Sequence, residues 1–170
     1  VGGETAEHPG VMEPDDYDVA GAAIGVVEAD ALLGPERVAA GDVVVAMASS
    51  GLHSNGYSLV RRVVEHAGWS LDTVLPELGR TVGAELLEPT RIYSRLCVDL
   101  AATVPGLHAL SHVTGGGLAA NLARVMPVGL AATVARDAWD LPAVFSVVQA
   151  AGSVPWNDLE STLNLGVGMV

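Results

Sequence analysis

No lysine occurs in this sequence, and all eight basic residues are arginine. A loop of the form G-x-x-x-x-G-K-[ST] needs a lysine to reach the β- and γ-phosphates, so a standard P-loop is excluded. The single cysteine, Cys97, cannot close an internal disulfide. Its place in the apolar stripe of RIYSRLCVDLAATV reads as a core thiol in a reducing cytoplasm. No apolar run approaches the roughly 18 residues that cross a bilayer, and no basic segment leads into an apolar one at the start, so nothing points to a membrane or to export. Positive charge is scarce as well. Twenty acidic residues against eight basic ones give a formal charge of -12 and a pI near 4.5. Such a surface repels a long polyanion, so nucleic acid is not an expected partner, although a local arginine cluster could still hold one phosphate.

What is present describes a packed protein. Half of the 170 residues are apolar, the mean hydropathy is +0.41 and glycine numbers 20, which suits a dense, turn-rich fold and not a disordered chain. The length allows one ordinary core, or one domain with a piece of another. The chain opens on Val1 and closes on LGVGMV, which reads as a strand getting under way, so a fragment of a longer protein is expected.

YDVAGAAIGVVEA, residues 17–29, reads as a closely packed strand, with Gly21 and Gly25 at its narrow points. Turn signals at Gly34-Pro35 and Gly41-Asp42 mark the neighbourhood of a domain boundary. VVVAMA, residues 43–48, is a short Val-rich run and reads as a buried strand. From Asn55, helical spacing puts Leu59, Val60, Val63 and Val64 on one side and Arg61, Arg62 and Glu65 on the other, until Gly68 stops the helix. Residues 69–88 read as a helix-poor connection. Pro89 and Thr90 then start a second helix that carries Ile92, Leu96, Cys97, Leu100 and Ala101 inward. GLHALSHVT is a strand candidate ending in TGGG, and Leu118, Leu122 and Val125 mark a helix closed by Pro127. GLAATVARDAW, PAVFSVVQAAG and WNDLESTLN give a strand, a helix and a short helix. This alternation predicts an α/β protein of the α+β type, a mixed β-sheet with helices packed on it.

Two strand-glycine-helix corners carry the chemistry: Ser50 to Gly56, and Thr114 to Gly117. A helix start offers unpaired N–H groups and partial positive charge, and glycine lets an anion approach without a Cβ in the way. The candidate substrate- or phosphate-binding residues are therefore Ser50, Gly51, Ser54, Asn55 and Gly56 in the first corner, and Thr114, Gly115, Gly116 and Gly117 in the second. A tight turn that merely caps a helix reads equally well for TGGG alone. His53 sits at the positive end of the first helix, which favours a neutral imidazole able to act as general acid or base. The plainer reading is a turn histidine bonded to backbone. His112 beside VTGGG is a weaker candidate; a strand would place it on one face with His108, and His66 reads as surface. No Gly-x-Ser-x-Gly frame surrounds Ser50 or Ser54, so a hydrolase elbow is unsupported. Glu4 and Glu7, behind two glycines, could hold Mg²⁺, which needs only one or two protein carboxylates, although for Glu7 a solvated loop is the better reading. Glu13, Asp15, Asp16 and Asp18 read as a solvated acidic turn.

Taken in order, GGETAEHPG, DYDVAGAAIGVVE, SSGLHSNGYSLVRRV, EPTRIY, HVTGGGLAANLARVMP and LNLGVGMV resemble the phosphoribosylformylglycinamidine cyclo-ligases, also called aminoimidazole ribonucleotide synthetases. The resemblance runs over nearly the whole chain. It implies an ATP- and Mg²⁺-dependent enzyme of purine biosynthesis that closes the imidazole ring of formylglycinamidine ribonucleotide and releases ADP and phosphate. In the family's scheme ATP phosphorylates the formyl oxygen, and the neighbouring amine nitrogen attacks that carbon and expels phosphate. Positioning and charge neutralisation would supply most of the acceleration. The resemblance further implies a cytoplasmic homodimer acting on a small nucleotide. It makes residues 1–28 the tail of an N-terminal ATP-binding domain and residues 29–170 most of a C-terminal α/β domain lacking its last strand and helix. Glu4, with Thr5, then resembles the ATP- and metal-binding acidic site, His53 the catalytic histidine, and Thr114 to Gly117 the phosphate cradle. Two alternatives stay open: another ATP-using member of the same superfamily, of the selenophosphate synthetase or thiamine-phosphate kinase type, or a non-catalytic domain retaining the fold. The first kind tends to carry an acidic residue where this chain has His112. Turnover by this piece alone is not expected.

Overall fold

A computed structural model describes residues 2–6 and 18–170, with side chains from residue 21 onward. The chain divides into two compact units, Val1–Leu32 and Leu33–Val170. In the first, strand β1 (Gly2–Ala6) pairs antiparallel with β2 (Asp18–Ala22), setting Glu4 opposite Ala20 and Thr5 opposite Val19. The strand expected over 17–29 thus ends at Ala22, and no close neighbour crowds Gly21 or Gly25. Glu7, His8 and the acidic run Glu13 to Asp16 lie outside the described residues.

The second unit is α/β. Its strands are β3 (Met47–Ala48), β4 (Val74–Leu75), β5 (Arg80–Thr81) and β6 (Val167–Met169). Its helices are α1 (Tyr57–His66), α2 (Val82–Leu86), α3 (Ser94–Thr103), α4 (Gly117–Ala123), α5 (Ala143–Gly152) and α6 (Trp156–Glu160). The ladders among the described residues are all antiparallel: β3 with β6, and β4 with β5. β6 also bonds on its other side, where Val113 N–H donates to Gly168 O at 2.9 Å and Ser111 and Val170 exchange bonds of 2.8 and 3.0 Å. It is therefore the middle of three short extended segments.

The core lies between α1, α5 and α6. Leu52, Val60, Val63, Val144, Phe145, Val148, Val154, Leu159 and Leu163 are buried together. α1 buries the face its spacing predicts, and Arg61, Arg62 and Glu65 stay exposed. Gly68, at φ +66, ends it: Gly68 N–H reaches Glu65 O and Trp69 N–H reaches Val64 O, the paired bonds of a Schellman stop. Gly152 lets α5 close on α1, since a Cβ there would lie 2.6 Å from Val63 Cγ2.

Several expectations fail for want of partners. Of the Val43 to Ala48 run only Met47 and Ala48 join a ladder, and Val43 is 81% exposed. Residues 129–139 form no strand, and residues 69–88 hold the β4–β5 hairpin and α2. The helix expected at Pro89 starts only at Ser94, and none of its residues is buried; Ile92 is 85% exposed and Cys97 half-buried. Residues of the segment Pro89 to Tyr93 instead bond to the first corner and to the end of β3, so tertiary contacts override local helix preference.

Phe145 is the only phenylalanine and is fully enclosed. Phe145→Ala is expected to lower unfolding free energy by about 3–5 kcal/mol, through lost transfer energy and the cavity left behind, measured by urea titration.

Candidate functional site

β3 leads into the first corner and Ser111 to Val113 into the second. Both run antiparallel to β6, hence parallel to each other, so the two corners leave the sheet at the same end. With one strand between them, the outer segments lie about 10 Å apart, twice the ordinary strand spacing. The corners do come side by side: a Cβ placed on Gly115 would lie 3.7 Å from Asn55 Oδ1. Three hollows, of about 450, 860 and 280 Å³, open elsewhere in this unit, and none is lined by residues of either corner.

Each corner is pinned by a buried asparagine. Asn164 donates from Nδ2 to Gly51 O (2.9 Å) and Leu52 O (3.1 Å), while its Oδ1 accepts from Ser49 Oγ and from Gly166 N–H. Asn121 donates to the carbonyls of Thr114, Gly115 and Gly117, at 3.3, 3.3 and 2.7 Å, and its Oδ1 accepts from Thr114 Oγ1. The carbonyls of Gly51, Leu52, Thr114, Gly115 and Gly117 are thereby bonded inside the protein. Among the described residues, the amides of Ser54, Asn55 and Gly56 in one corner, and of Gly115 and Gly116 in the other, meet no acceptor. Gly116 (φ +95) and Gly117 (φ +68) take a left-handed backbone that side chains rarely adopt, and a Cβ on Gly117 would collide with Glu160 O. Ser50 Oγ donates to Pro89 O, and Ser54 Oγ pairs with Thr90 Oγ1, so both hydroxyls serve the loop itself.

His53 lies at φ +59 and is 4% exposed. Its Nε2 accepts from Ser50 N–H at 3.1 Å, which puts the ring proton on Nδ1, and Nδ1 is buried without a partner among the described residues. Burial first, then His112 and Arg91, holds the imidazole below its usual pKa, so the ring is neutral. Neutrality was expected; its main cause is desolvation and not the helix end. The ring belongs to a cluster with Tyr93 and His112, whose centroids are 6.0 to 6.3 Å apart. Gly168 makes room for it: a Cβ there would sit 2.0 Å from Tyr93 Oη and 2.6 Å from His53 Cε1. Tyr93 Oη and Arg91 Nη1 both donate to Ala48 O, at 2.7 and 3.0 Å, and clamp the end of β3.

Sequence reasoning did not single out Arg91 and Tyr93 as site residues, although they lie within EPTRIY, 38 and 40 positions beyond His53 in sequence. His108 does not share a partner with His112; its Nδ1 bonds Asp42 at 2.7 Å, and that hydrogen bond, with a second from Ala39 N–H, lowers the Asp42 pKa. His66 is exposed, as expected. Beneath Gly51, buried Glu85 is paired with Arg80 at 2.7 Å, and Arg80 also holds Glu88 at 2.6 Å.

Among the described residues no three His, Cys, Asp or Glu side chains gather as a metal site, and the Glu4 and Thr5 side chains lie outside the description. No helix among those residues is long and apolar enough to cross a membrane.

These features define an α/β domain with two glycine-rich corners set side by side. The sequence model of a family described as "AIR synthase related protein, C-terminal domain" matches residues 39–170. The chain belongs to this family. It is 47% identical to a phosphoribosylformylglycinamidine cyclo-ligase of Citrifermentans bemidjiense, 51% to one of Sorangium cellulosum and 49% to one of Symbiobacterium thermophilum. Each match covers 100% of this chain and 49% of the relative. The chain thus spans about half the length of the curated relatives it matches.

Unfolding returns the His53 ring to an ordinary value near 6.5, so as pH falls the unfolded chain takes up its proton first. The stability tied to the neutral ring is whole above that value and is lost as pH falls below it towards the depressed folded value. Urea unfolding at about pH 7.5 and about pH 5.5 is expected to show the loss in the native chain and a smaller one in His53→Gln, which removes this titration.

Proposed function

We propose that this chain supplies the substrate-holding part of an ATP-dependent cyclo-ligase that closes the imidazole ring of formylglycinamidine ribonucleotide in purine biosynthesis. The observation that carries this reading is the pair of corners set side by side, with five loop carbonyls bound inward by two asparagines and amides of both corners left for a ligand. A chain of formal charge -12 repels anions at long range, so an anionic substrate needs such a local seat. The names of the relatives supply the reaction, and their length supports placing other parts of the machinery outside this chain.

In this reading Thr114 to Gly117 hold the phosphate of the ribonucleotide, and Ser54 to Gly56 present amides to its polar body. Ser50 and Gly51 shape the turn that carries His53. ATP supplies the phosphoryl group that turns the formyl oxygen into a leaving group. The described residues fit an anion but form no metal cage. Glu4 and Thr5 remain our candidates for the Mg²⁺ and ATP end, in residues 1–28, with 29–170 as the second domain. What this chain's own residues contribute is orientation and charge complementarity, which in an entropy-limited ring closure is a large share of the barrier. A cytoplasmic homodimer belongs to the same proposal.

Binding tests the reading directly. Calorimetry with formylglycinamidine ribonucleotide is expected to show saturable binding that inorganic phosphate competes for. Gly116→Ala should weaken it about tenfold or more, since it strains the loop and crowds Ala120. Absence of saturable binding, or an unaltered affinity in Gly116→Ala, would overturn the assignment.

A further inference from the structure

The histidine that the sequence marks out cannot reach a ligand as it stands. His53 is almost wholly buried, and its one lone-pair nitrogen is already bonded to Ser50 N–H. Its bond closes the four-residue turn Ser50 to His53, the kind of local side-chain contact that fixes a loop. The imidazole that does face solvent in the same cluster is His112. Ser111 and Val113 are buried on either side of it, so strand alternation turns His112 to the opposite, open face. On that face its ring comes within 6.3 Å of His53 and 6.0 Å of Tyr93, centroid to centroid. It lies two residues before Thr114, between the corners. Neither ring nitrogen of His112 is taken by a hydrogen bond among the described residues.

We propose that His112 is the imidazole that contacts the bound ribonucleotide, and that His53 is a positioning residue acting through the Ser50 turn and through ring contact with His112. This rests on the function proposed above and refines which side chain meets the substrate. A free, exposed imidazole beside unpaired glycine amides can donate to a phosphate or carbonyl oxygen, or accept from an amine, as the ligand requires. His53 has neither freedom. Its bond to Ser50 N–H instead keeps the first corner in register.

The test uses the whole chain with ¹⁵N and ring-¹³C label, titrated with formylglycinamidine ribonucleotide and, separately, with inorganic phosphate. The ribonucleotide is expected to move the His112 ring resonances along the same saturation curve as the Gly115 and Gly116 amides. His112→Gln should weaken binding about tenfold without changing the far-UV spectrum. His53→Gln, whose amide oxygen can still accept from Ser50 N–H, should keep the affinity within about threefold, while His53→Ala loses it. Rescue by glutamine is the sign of positioning. Movement of the glycine amides with an unmoved His112 ring would overturn this inference and leave the proposed function standing. So would equal losses in His53→Gln and His53→Ala. If the ribonucleotide moves neither corner, both readings fall.

Discussion

The geometry of the site depends on β6. Val167 to Met169 is bonded on both edges, to Met47 and Ala48 on one side and to Ser111 to Val113 on the other. Because both neighbours run against it, they run with each other, and that alone brings two loops more than 60 positions apart in sequence to one end of a sheet. The register is held at the loop itself as well, where Ser49 N–H donates to Gly166 O and Gly166 N–H to Asn164 Oδ1. A slip of one residue in β6 would exchange Gly168 for a side chain under the His53 and Tyr93 rings, where no Cβ fits. Pairing and ring cluster therefore specify each other.

Two asparagines convert that placement into chemistry. A glycine loop can turn either its carbonyls or its amides towards a ligand, and free glycine does not choose. Asn121 and Asn164 choose for it, because each buries an amide group whose donors must find acceptors, and the acceptors they take are loop carbonyls. What remains unbonded includes N–H groups in both corners, which carry partial positive charge on an acidic protein. Asn121 is completely enclosed, so leaving its carbonyl partners unpaired would cost more than the bonds themselves gain.

Some of this is written locally in the sequence and some is not. α1, α5 and α6 follow from apolar spacing with glycine or proline at their ends, and their packing makes the core. The glycine corners were legible because positive φ and close backbone approach both demand that residue type. Pairing was not. Val43 to Val45 has the composition of a buried strand, yet it lines hollows and stays exposed, because burial requires a neighbour that composition cannot name. Pro89 to Tyr93 carries helix-start signals, yet Pro89 and Thr90 bond to the first corner and Arg91 and Tyr93 to the end of β3. The α/β class survives these misses because it depends on the alternation of elements and not on the size of the sheet.

In the roles we propose for His53 and His112, position in the fold is weighed against residue type. A histidine between glycines beside a helix start looks activated, and neutrality was rightly expected, but a left-handed backbone and a bond to its own turn fold the ring into the protein. His112 carries the opposite signature, an exposed residue between buried Ser111 and Val113. That period of two is a sequence-level signal, since a polar ring opposite a valine on a strand that ends in glycines must face outward once Val113 faces the core. The cluster is also costly, with glycine inside a strand, a histidine at positive φ and an unpaired buried Nδ1. Expense of that kind, set beside a core of ordinary aliphatic packing, is what separates a working surface from one that merely folds.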